Sequence, residues 1–377
     1  MNERFTINGS NALEDHLRQS CEKIAQAVLE IIPREKIEAL LLGGGYGRGQ
    51  GGVLKTNSGD QPYNDLEFYL CLRGSTLLNQ KNYGGALHHL GERLSPTAGL
   101  EVEFKITSLK KILQIPPTMF SYDLAWGHRS LIGATEFFST QPDARKIPLS
   151  EATRLLMNRC TGLLFAREHL QRKPFTPDDA DFVGRNHAKA QLGFGDAFLT
   201  ANGQYHWDVR ERNKRLATLK ENISLPWLDE IRQQHNAGVE FKFHPYRSTE
   251  SLERLCEKQL ELTTLGLKVW LWIEGHRLTK SFPSASDYAL SDLSKCPETN
   301  ALRNFLINAR RFGGKMISQP ITYPRQRLFH SLALLLWEPE TFTDPKLLRR
   351  VQNELQTSAT TFRELVLAYE TLWKNYN

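Results

Sequence analysis

The sequence IEALLLGGGYGRGQGG occupies residues 37–52 and joins a short apolar run to a glycine-rich segment. Residues 37–42 have the length and apolar character of a buried strand. Seven of the ten residues from Gly43 to Gly52 are glycine. Because glycine has no Cβ, backbone N–H groups in such a segment can approach a phosphate group closely. The pattern therefore predicts a phosphate-binding loop that directly follows a buried strand.

Two common phosphate-binding patterns do not account for this loop. A Walker loop requires Gly-Lys-Ser/Thr, and the first lysine after the glycines is Lys55. The dinucleotide pattern GxGxxG is met by Gly47, Gly49 and Gly52, but it should open a helix. Residues 53–65 are instead rich in turn formers, so that pattern lacks its structural context.

Acidic residues alternate with apolar ones in the next predicted strand, residues 63–72. Side chains alternate across a strand, so Asp65 and Glu67 share one face while Leu66 and Phe68 point into the core with Leu70. Two carboxylates about 7 Å apart on one face repel each other unless a cation lies between them. Mg²⁺ and Mn²⁺ prefer oxygen ligands of this kind.

A further predicted strand, residues 100–106, places Glu101, Glu103 and Lys105 on one face. The alternative for both strands is a solvated sheet face with ordinary rows of charge. The glycine-rich loop upstream of both strands favours the metal-binding interpretation.

Taken in order, these motifs resemble the DNA polymerase β-like nucleotidyltransferase superfamily. Residues 44–48 are similar to the Gly-Ser-x-Gly-Arg loop of aminoglycoside (kanamycin-type) nucleotidyltransferases, and residues 62–68 to their Pro-Tyr-Ser-Asp-Ile-Glu segment. Residues 122–133 resemble the segment that closes this core in many members. The resemblance covers residues 37–135 and departs from the family by an apparent insertion around residues 51–61.

The resemblance implies a metal-dependent transfer of a nucleoside monophosphate from an NTP to an acceptor hydroxyl, with release of pyrophosphate and without a template. ATP is the expected donor. Asp65, Glu67 and Glu103 would be catalytic and would bind Mg²⁺ or Mn²⁺. The third carboxylate is open between Glu101 and Glu103, and Glu103 is preferred because apolar residues flank it.

The same resemblance assigns phosphate binding to the glycine-rich loop. Gly44, Gly45 and Gly47 would contact the phosphates, and Arg48 would stabilise the leaving pyrophosphate. The alternative for Arg48 is a salt bridge elsewhere in the protein.

The second part of the chain is predicted to be helical and carries the charge excess. Residues 1–150 are electrically neutral, so the net charge of +6 lies in residues 151–377. This excess suits a polyanionic ligand, although it also suits a mildly basic surface without that role. Arg185 and Lys189 lie one helical turn apart and would jointly meet a triphosphate; the alternative is a pair of plain surface charges. Residues 345–373 are predicted to form one final helix.

The expected architecture is α+β, with a small polymerase β-like nucleotidyltransferase core in residues 1–145. An all-helical substrate- or nucleotide-binding domain follows in residues 146–377. A cytoplasmic protein without a membrane partner is expected, because the N-terminus is polar and the five cysteines are scattered. The acceptor is open between a small molecule, RNA, a protein and a second nucleotide. Two alternatives remain: a non-catalytic nucleotide- or RNA-binding protein with this fold, and a toxin or antiphage effector.

Overall fold

The computed structural model describes residues 4–133, 142–219, 225–312 and 320–376. The chain divides into two compact units. The first comprises Met1–Glu151, Asn202–Ile223 and Asn236–Tyr246, and the second comprises Ala152–Ala201, Ser224–His235 and Arg247–Asn377. Strands occur in the first unit and the described elements of the second are helical, which confirms a mixed α+β fold class.

The secondary structure elements are numbered along the chain. Those up to residue 132 are α1 (Asn11–Ile31), β1 (Ile37–Leu42), α2 (Gly44–Gly47), β2 (Gly52–Thr56), β3 (Gly59–Tyr63), β4 (Asp65–Leu72), α3 (Thr76–Ala98), β5 (Glu101–Thr107), α4 (Leu109–Ile112), α5 (Met119–Trp126) and β6 (Arg129–Ile132). The later helices are α6 (Leu149–Leu170), α7 (Pro177–Ala201), α8 (Val209–Thr218), α9 (Leu228–Phe243), α10 (Leu252–Leu278), α11 (Ala285–Leu290), α12 (Ala301–Phe312), α13 (Pro324–Trp337), α14 (Pro345–Leu355) and α15 (Phe362–Tyr376).

The first unit is built on a four-stranded sheet with the order β5-β4-β1-β6. Strands β4 and β5 are parallel, whereas β1 is antiparallel to both β4 and β6. Alternate residues of β4 enter two different cores. Leu66, Phe68 and Leu70 pack in the core that contains α1 and α3 residues, and Tyr69 and Cys71 pack with α4 and α5 residues on the opposite face.

The segment around residues 51–61, which the sequence analysis treats as an insertion, forms the β2–β3 hairpin. The predicted strand over residues 63–72 is therefore two elements, since β3 ends at Tyr63 and β4 begins at Asp65. Asn64 separates them with φ of 85°. Asparagine tolerates this left-handed conformation better than most residues, which allows the chain to change direction there.

Helix α10 provides the buried centre of the second unit. Its Val269, Trp270 and Ile273 are fully buried. The indole of Trp270 packs edge to face against Tyr288 and Phe329. These apolar side chains of α10 thus lie in the core of this unit.

The prediction of a single C-terminal helix over residues 345–373 is wrong, because two helices occupy that region. Helix α14 ends where Gln356 takes φ of 54° and its backbone N–H donates to the Gln352 carbonyl. Helix α15 begins after Thr361, whose hydroxyl accepts a hydrogen bond from the Glu364 N–H. Residues 356–361 read QTSATT, and hydroxyl side chains compete with helical backbone bonds.

Within the described ranges, no helix combines the length and the apolar character needed to span a membrane.

Candidate metal centre

Three carboxylates from two neighbouring strands converge in the first unit. Asp65 and Glu67 lie on one face of β4, and the parallel register places Glu103 of β5 opposite Glu67. One oxygen from each of the three carboxylates lies within 4.8 Å of the others. Glu101 pairs with Asp65 in the sheet register, but its side chain is exposed and it is not part of this group. We call Asp65, Glu67 and Glu103 the carboxylate cluster.

A lysine lies between two members of the cluster. Lys105 Nζ is 2.8 Å from Glu67 Oε1 and 3.0 Å from Glu103 Oε2. Burial alone would lower the pKa of Lys105, but the charge of Glu67 and hydrogen bonds to both carboxylates raise it above its usual value. Lys105 is therefore protonated at neutral pH and neutralises part of the negative charge.

The Glu67 carboxylate is also held by an aromatic hydroxyl. Tyr69 donates a hydrogen bond to Glu67 Oε1 over 3.2 Å. Burial, and next the charge of Glu67, raise the pKa of Tyr69. The hydroxyl consequently keeps its proton and stays a donor, which fixes the orientation of the carboxylate.

The glycine-rich loop lies directly against the cluster. The Gly43 N–H donates to the Glu67 carbonyl over 2.9 Å. Gly44 has φ of 61°, and a Cβ at this position would be 2.6 Å from Glu67 Oε2. The left-handed backbone conformation favours glycine here, and an added Cβ would displace the Glu67 carboxylate. The loop predicted from the sequence and the predicted carboxylates therefore meet at Gly44.

Other glycines of the loop are explained by packing within the first unit. A Cβ on Gly47 would lie 2.2 Å from the Leu42 carbonyl oxygen, and one on Gly51 would lie 2.2 Å from the Tyr46 ring. The Tyr46 hydroxyl donates to the Gly52 carbonyl and accepts from the Tyr63 N–H. These contacts fix the loop against the hairpin that leads into β4.

Arg48 lies in an ion pair within the first unit. Its Nη1 is 3.3 Å from Asp123 Oδ2, and the Arg48 side chain is only 11% exposed. The same carboxylate accepts hydrogen bonds from the Tyr205 hydroxyl at 3.1 Å. This ion pair is the salt bridge given above as the alternative role of Arg48.

One basic residue near the loop is marked by no sequence pattern. Lys242, near the end of α9, has its Nζ 3.4 Å from the position that a Cβ on Gly45 would occupy. Nearly two hundred residues separate the two in sequence, and Lys242 belongs to no local motif. Only the fold of the first unit brings it to the loop.

Arg185 and Lys189 both lie on α7, in the second unit, whereas the carboxylate cluster belongs to the first. Arg185 Nε is 3.3 Å from Asp181 Oδ2. Lys189 lines a cavity formed by residues of the second unit.

The carboxylate cluster has the donor chemistry of a site for a hard divalent cation. All three members are half-buried and offer oxygen ligands, which Mg²⁺ and Mn²⁺ prefer. The contacts of Lys105 Nζ with two of them show that the cluster attracts positive charge. The residues therefore fit a divalent cation.

Comparisons of the chain with protein-family models, with curated proteins and with solved structures found no match.

Proposed function

We propose that the chain is a metal-dependent, template-independent nucleotidyltransferase, which moves a nucleoside monophosphate from an NTP to an acceptor hydroxyl. The observation that supports this most is the position of the three carboxylates against the glycine-rich loop, with Gly44 touching Glu67. Nucleotidyl transfer needs a divalent cation site next to a phosphate-binding backbone.

In this proposal Asp65, Glu67 and Glu103 would hold Mg²⁺ or Mn²⁺. The bound cation would neutralise charge on the phosphates during the transfer. Glu103, on the neighbouring strand, would accept the proton of the attacking hydroxyl. Tyr69 and Lys105 keep the carboxylates oriented before substrate binds.

The phosphates of the NTP would bind along the loop. Backbone N–H groups of Gly44 and Gly45 can approach a phosphate without a Cβ in the way. The ammonium group of Lys242 beside Gly45 would add positive charge for the same phosphates. We expect ATP to be the donor and a small molecule or RNA to be the acceptor. We expect the reaction to take place in the cytoplasm.

A label-transfer experiment tests this function. The purified chain is incubated with each of the four NTPs labelled at the α-phosphorus, with Mg²⁺ or Mn²⁺, and with total RNA, the protein itself and aminoglycosides as acceptors. The Asp65→Asn/Glu67→Gln double variant is the negative control, and Glu101→Gln is the matched control on the same sheet. Wild type and Glu101→Gln should transfer label, and the double variant should be slower by about 100-fold or more. Equal transfer by the double variant would exclude a catalytic role for these carboxylates.

A second candidate function is metal-independent nucleotide binding without catalysis. The observation that favours it is Lys105, which already neutralises part of the charge of Glu67 and Glu103. Nucleotide affinity measured with Mg²⁺ and with EDTA separates the two candidates. A catalytic protein should bind NTP at least about ten times more weakly in EDTA, because the triphosphate and the carboxylates then repel each other. Equal affinity, together with no label transfer, would favour the binding protein.

A further inference from the structure

The second unit contains a cavity of about 440 Å³. Residues of α6, α7 and α15, together with Arg172 just after α6, line it, and all of them belong to this unit. Its size falls within the range of roughly 300–1,000 Å³ that is typical of small-molecule sites. None of the three carboxylates of the first unit contributes to it.

Positive charge predominates in the lining of this cavity. The lining contains four basic side chains and two acidic ones. The basic residues are Arg159, Arg172, Lys189 and Arg363, and the acidic residues are Glu168 and Glu370. Glu168 pairs within the lining with Arg172, at 2.6 Å, and with Arg363, at 3.7 Å, whereas Glu370 Oε1 lies 2.9 Å from Lys374 Nζ. The two acids offset part of the positive charge and leave an excess of two basic side chains. The cavity therefore favours an anionic ligand.

Aromatic rings form part of the same lining. Phe165, Phe182 and Trp373 contribute ring surface, and Trp373 packs edge to face on Phe165 with the ring centres 5.8 Å apart. Aromatic walls of this kind bind the flat faces of unsaturated rings by stacking or edge contacts. The ligand should accordingly carry a planar ring as well as an anionic group.

Polar atoms in the lining indicate that this ring carries hydrogen-bonding groups. The Trp373 Nε1–H is buried and has no acceptor among the residues that the structure describes. A buried donor of this kind is costly unless a ligand supplies an acceptor. Asn186 donates through Nδ2 to the Phe182 carbonyl, so its Oδ1 can accept from a ligand. A nitrogen heterocycle offers such acceptors and donors along its edge, whereas a plain hydrocarbon ring does not.

We propose that this cavity is a second ligand site, for a nucleoside monophosphate. The phosphate would pair with basic side chains of the lining such as Lys189, and the base would lie against Phe165 and Trp373. The site is independent of the proposed transferase reaction, because its residues and the carboxylate cluster share no member.

Binding is tested on the full chain in EDTA by titration calorimetry with AMP, GMP, CMP and UMP. The Asp65→Asn variant is measured in parallel, so that failure of the proposed transferase and failure of this site can be told apart. At least one of the four nucleotides should bind with a Kd below about 1 mM, equally in wild type and Asp65→Asn. The corresponding nucleoside and inorganic phosphate should each bind at least about ten times more weakly.

Variants of the lining identify the site. Lys189→Met should weaken binding by about tenfold, and Trp373→Phe, which removes only the donor and part of the ring, by about three- to tenfold. Arg254→Gln is the matched control, since Arg254 is exposed and lies outside the lining. Photolabelling of the wild type with 8-azido-AMP gives a result that does not depend on any variant folding. Label should map to α6, α7, α15 or Arg172.

Four results would overturn the proposal. They are no saturable binding of any of the four nucleotides, phosphate alone binding as tightly as the nucleotide, photolabel outside α6, α7, α15 and Arg172, and unchanged affinity in both folded lining variants.

Discussion

At the residue scale, Glu67 is held by several neighbours in the carboxylate cluster. Its carboxylate is held by Lys105 and by Tyr69, and its Oε2 lies where a Cβ on Gly44 would clash. The backbone carbonyl of Glu67 also accepts the Gly43 N–H. A substitution at any of these neighbours should therefore change the affinity of the proposed cation site.

Replacing Lys105 tests whether the lysine and a divalent cation compensate the same negative charge. In EDTA, Lys105→Met should lower the melting temperature by about 2–4 °C, because the Glu67 and Glu103 carboxylates lose their counter-charge. Mg²⁺ should raise the melting temperature of the variant more than that of the wild type. Lys81→Met, at an exposed lysine on α3, is the control and should respond to Mg²⁺ as the wild type does. Equal Mg²⁺ responses in wild type and Lys105→Met would contradict the proposed compensation.

Gly44→Ala tests the contact between the loop and the carboxylate. The added Cβ would lie 2.6 Å from Glu67 Oε2, so the carboxylate must move and Mn²⁺ affinity should fall by about tenfold or more. Gly74 also has a positive φ, of 89°, but a Cβ there meets nothing within 4 Å. Gly74→Ala should share the backbone strain, of about 1 kcal/mol, and leave Mn²⁺ affinity unchanged. Calorimetric titration with Mn²⁺ distinguishes the two variants, and equal losses would show that backbone strain alone is responsible.

Sequence alone predicts the members of the cluster because strand alternation is a local property. Asp65 and Glu67 are two residues apart, and Glu103 is likewise flanked by apolar residues in its own strand. Lys242 was missed because its approach to Gly45 depends on how a distant helix packs in the first unit. The ion pair of Arg48 with Asp123 depends in the same way on tertiary packing.

At the scale of elements, the position of Glu103 depends on how α3 supports β5. A Cβ on Gly91 of α3 would lie 2.4 Å from the Val102 carbonyl oxygen, so helix and strand are in direct backbone contact. Ser95 joins the same elements, because its hydroxyl accepts the Val102 N–H over 2.9 Å. The neighbouring Glu103 is held in place by this contact.

Replacing either of two glycines of α3 with alanine should change the free energy of unfolding, in opposite directions for the two positions. Gly91→Ala should lower the free energy of unfolding by about 1–3 kcal/mol, because the helix must move away from β5. Gly85 is exposed in the same helix and a Cβ there meets nothing within 4 Å. Gly85→Ala should raise the free energy of unfolding by about 0.5–1 kcal/mol through helix propensity alone. Urea unfolding of both variants checks this, and a stabilised Gly91→Ala would show that the helix–strand contact is looser than described.

A strand set by a local apolar run was predicted well, and elements set by turns were not. Residues 37–42, predicted as a buried strand, form β1. The β2–β3 hairpin was seen only as an insertion, since turn-rich sequence does not specify strand pairing. The division between α14 and α15 was missed because Leu355 and Phe362 are seven residues apart, which keeps the helical spacing of apolar residues across this segment.

On the scale of the whole molecule, several histidines are buried and bear on stability in acid. Burial lowers the pKa of His187 to about 4, although a hydrogen bond to Gln259 partly opposes this shift. Burial also lowers the pKa of His330, although its hydrogen bond to the Glu354 carboxylate opposes this shift. Both residues are neutral in the folded chain at pH 7, and unfolding would let them bind protons more readily.

The free energy of unfolding should therefore fall as the pH drops from about 6.5 towards 4. An unfolded histidine has a pKa near 6.5, so the contribution of His187 is complete above that pH and is lost as the pH falls to its folded value. Between pH 7 and 4.5 the loss should be about 2 kcal/mol smaller in His187→Gln than in wild type. His88→Gln, at a largely exposed histidine, serves as control. Urea unfolding at the two pH values gives the comparison, and an unchanged loss in His187→Gln would contradict the assignment.

Mn²⁺ binding followed by electron paramagnetic resonance tests the carboxylate cluster most directly. Wild type, Glu101→Gln, Glu103→Gln and Asp65→Asn are titrated with and without NTP. We predict saturable Mn²⁺ binding to wild type and Glu101→Gln, strengthened by NTP. Asp65→Asn and Glu103→Gln should bind about tenfold more weakly or worse. Equal binding by Glu103→Gln and wild type, or no Mn²⁺ binding to wild type even with NTP, would contradict a cation site at Asp65, Glu67 and Glu103.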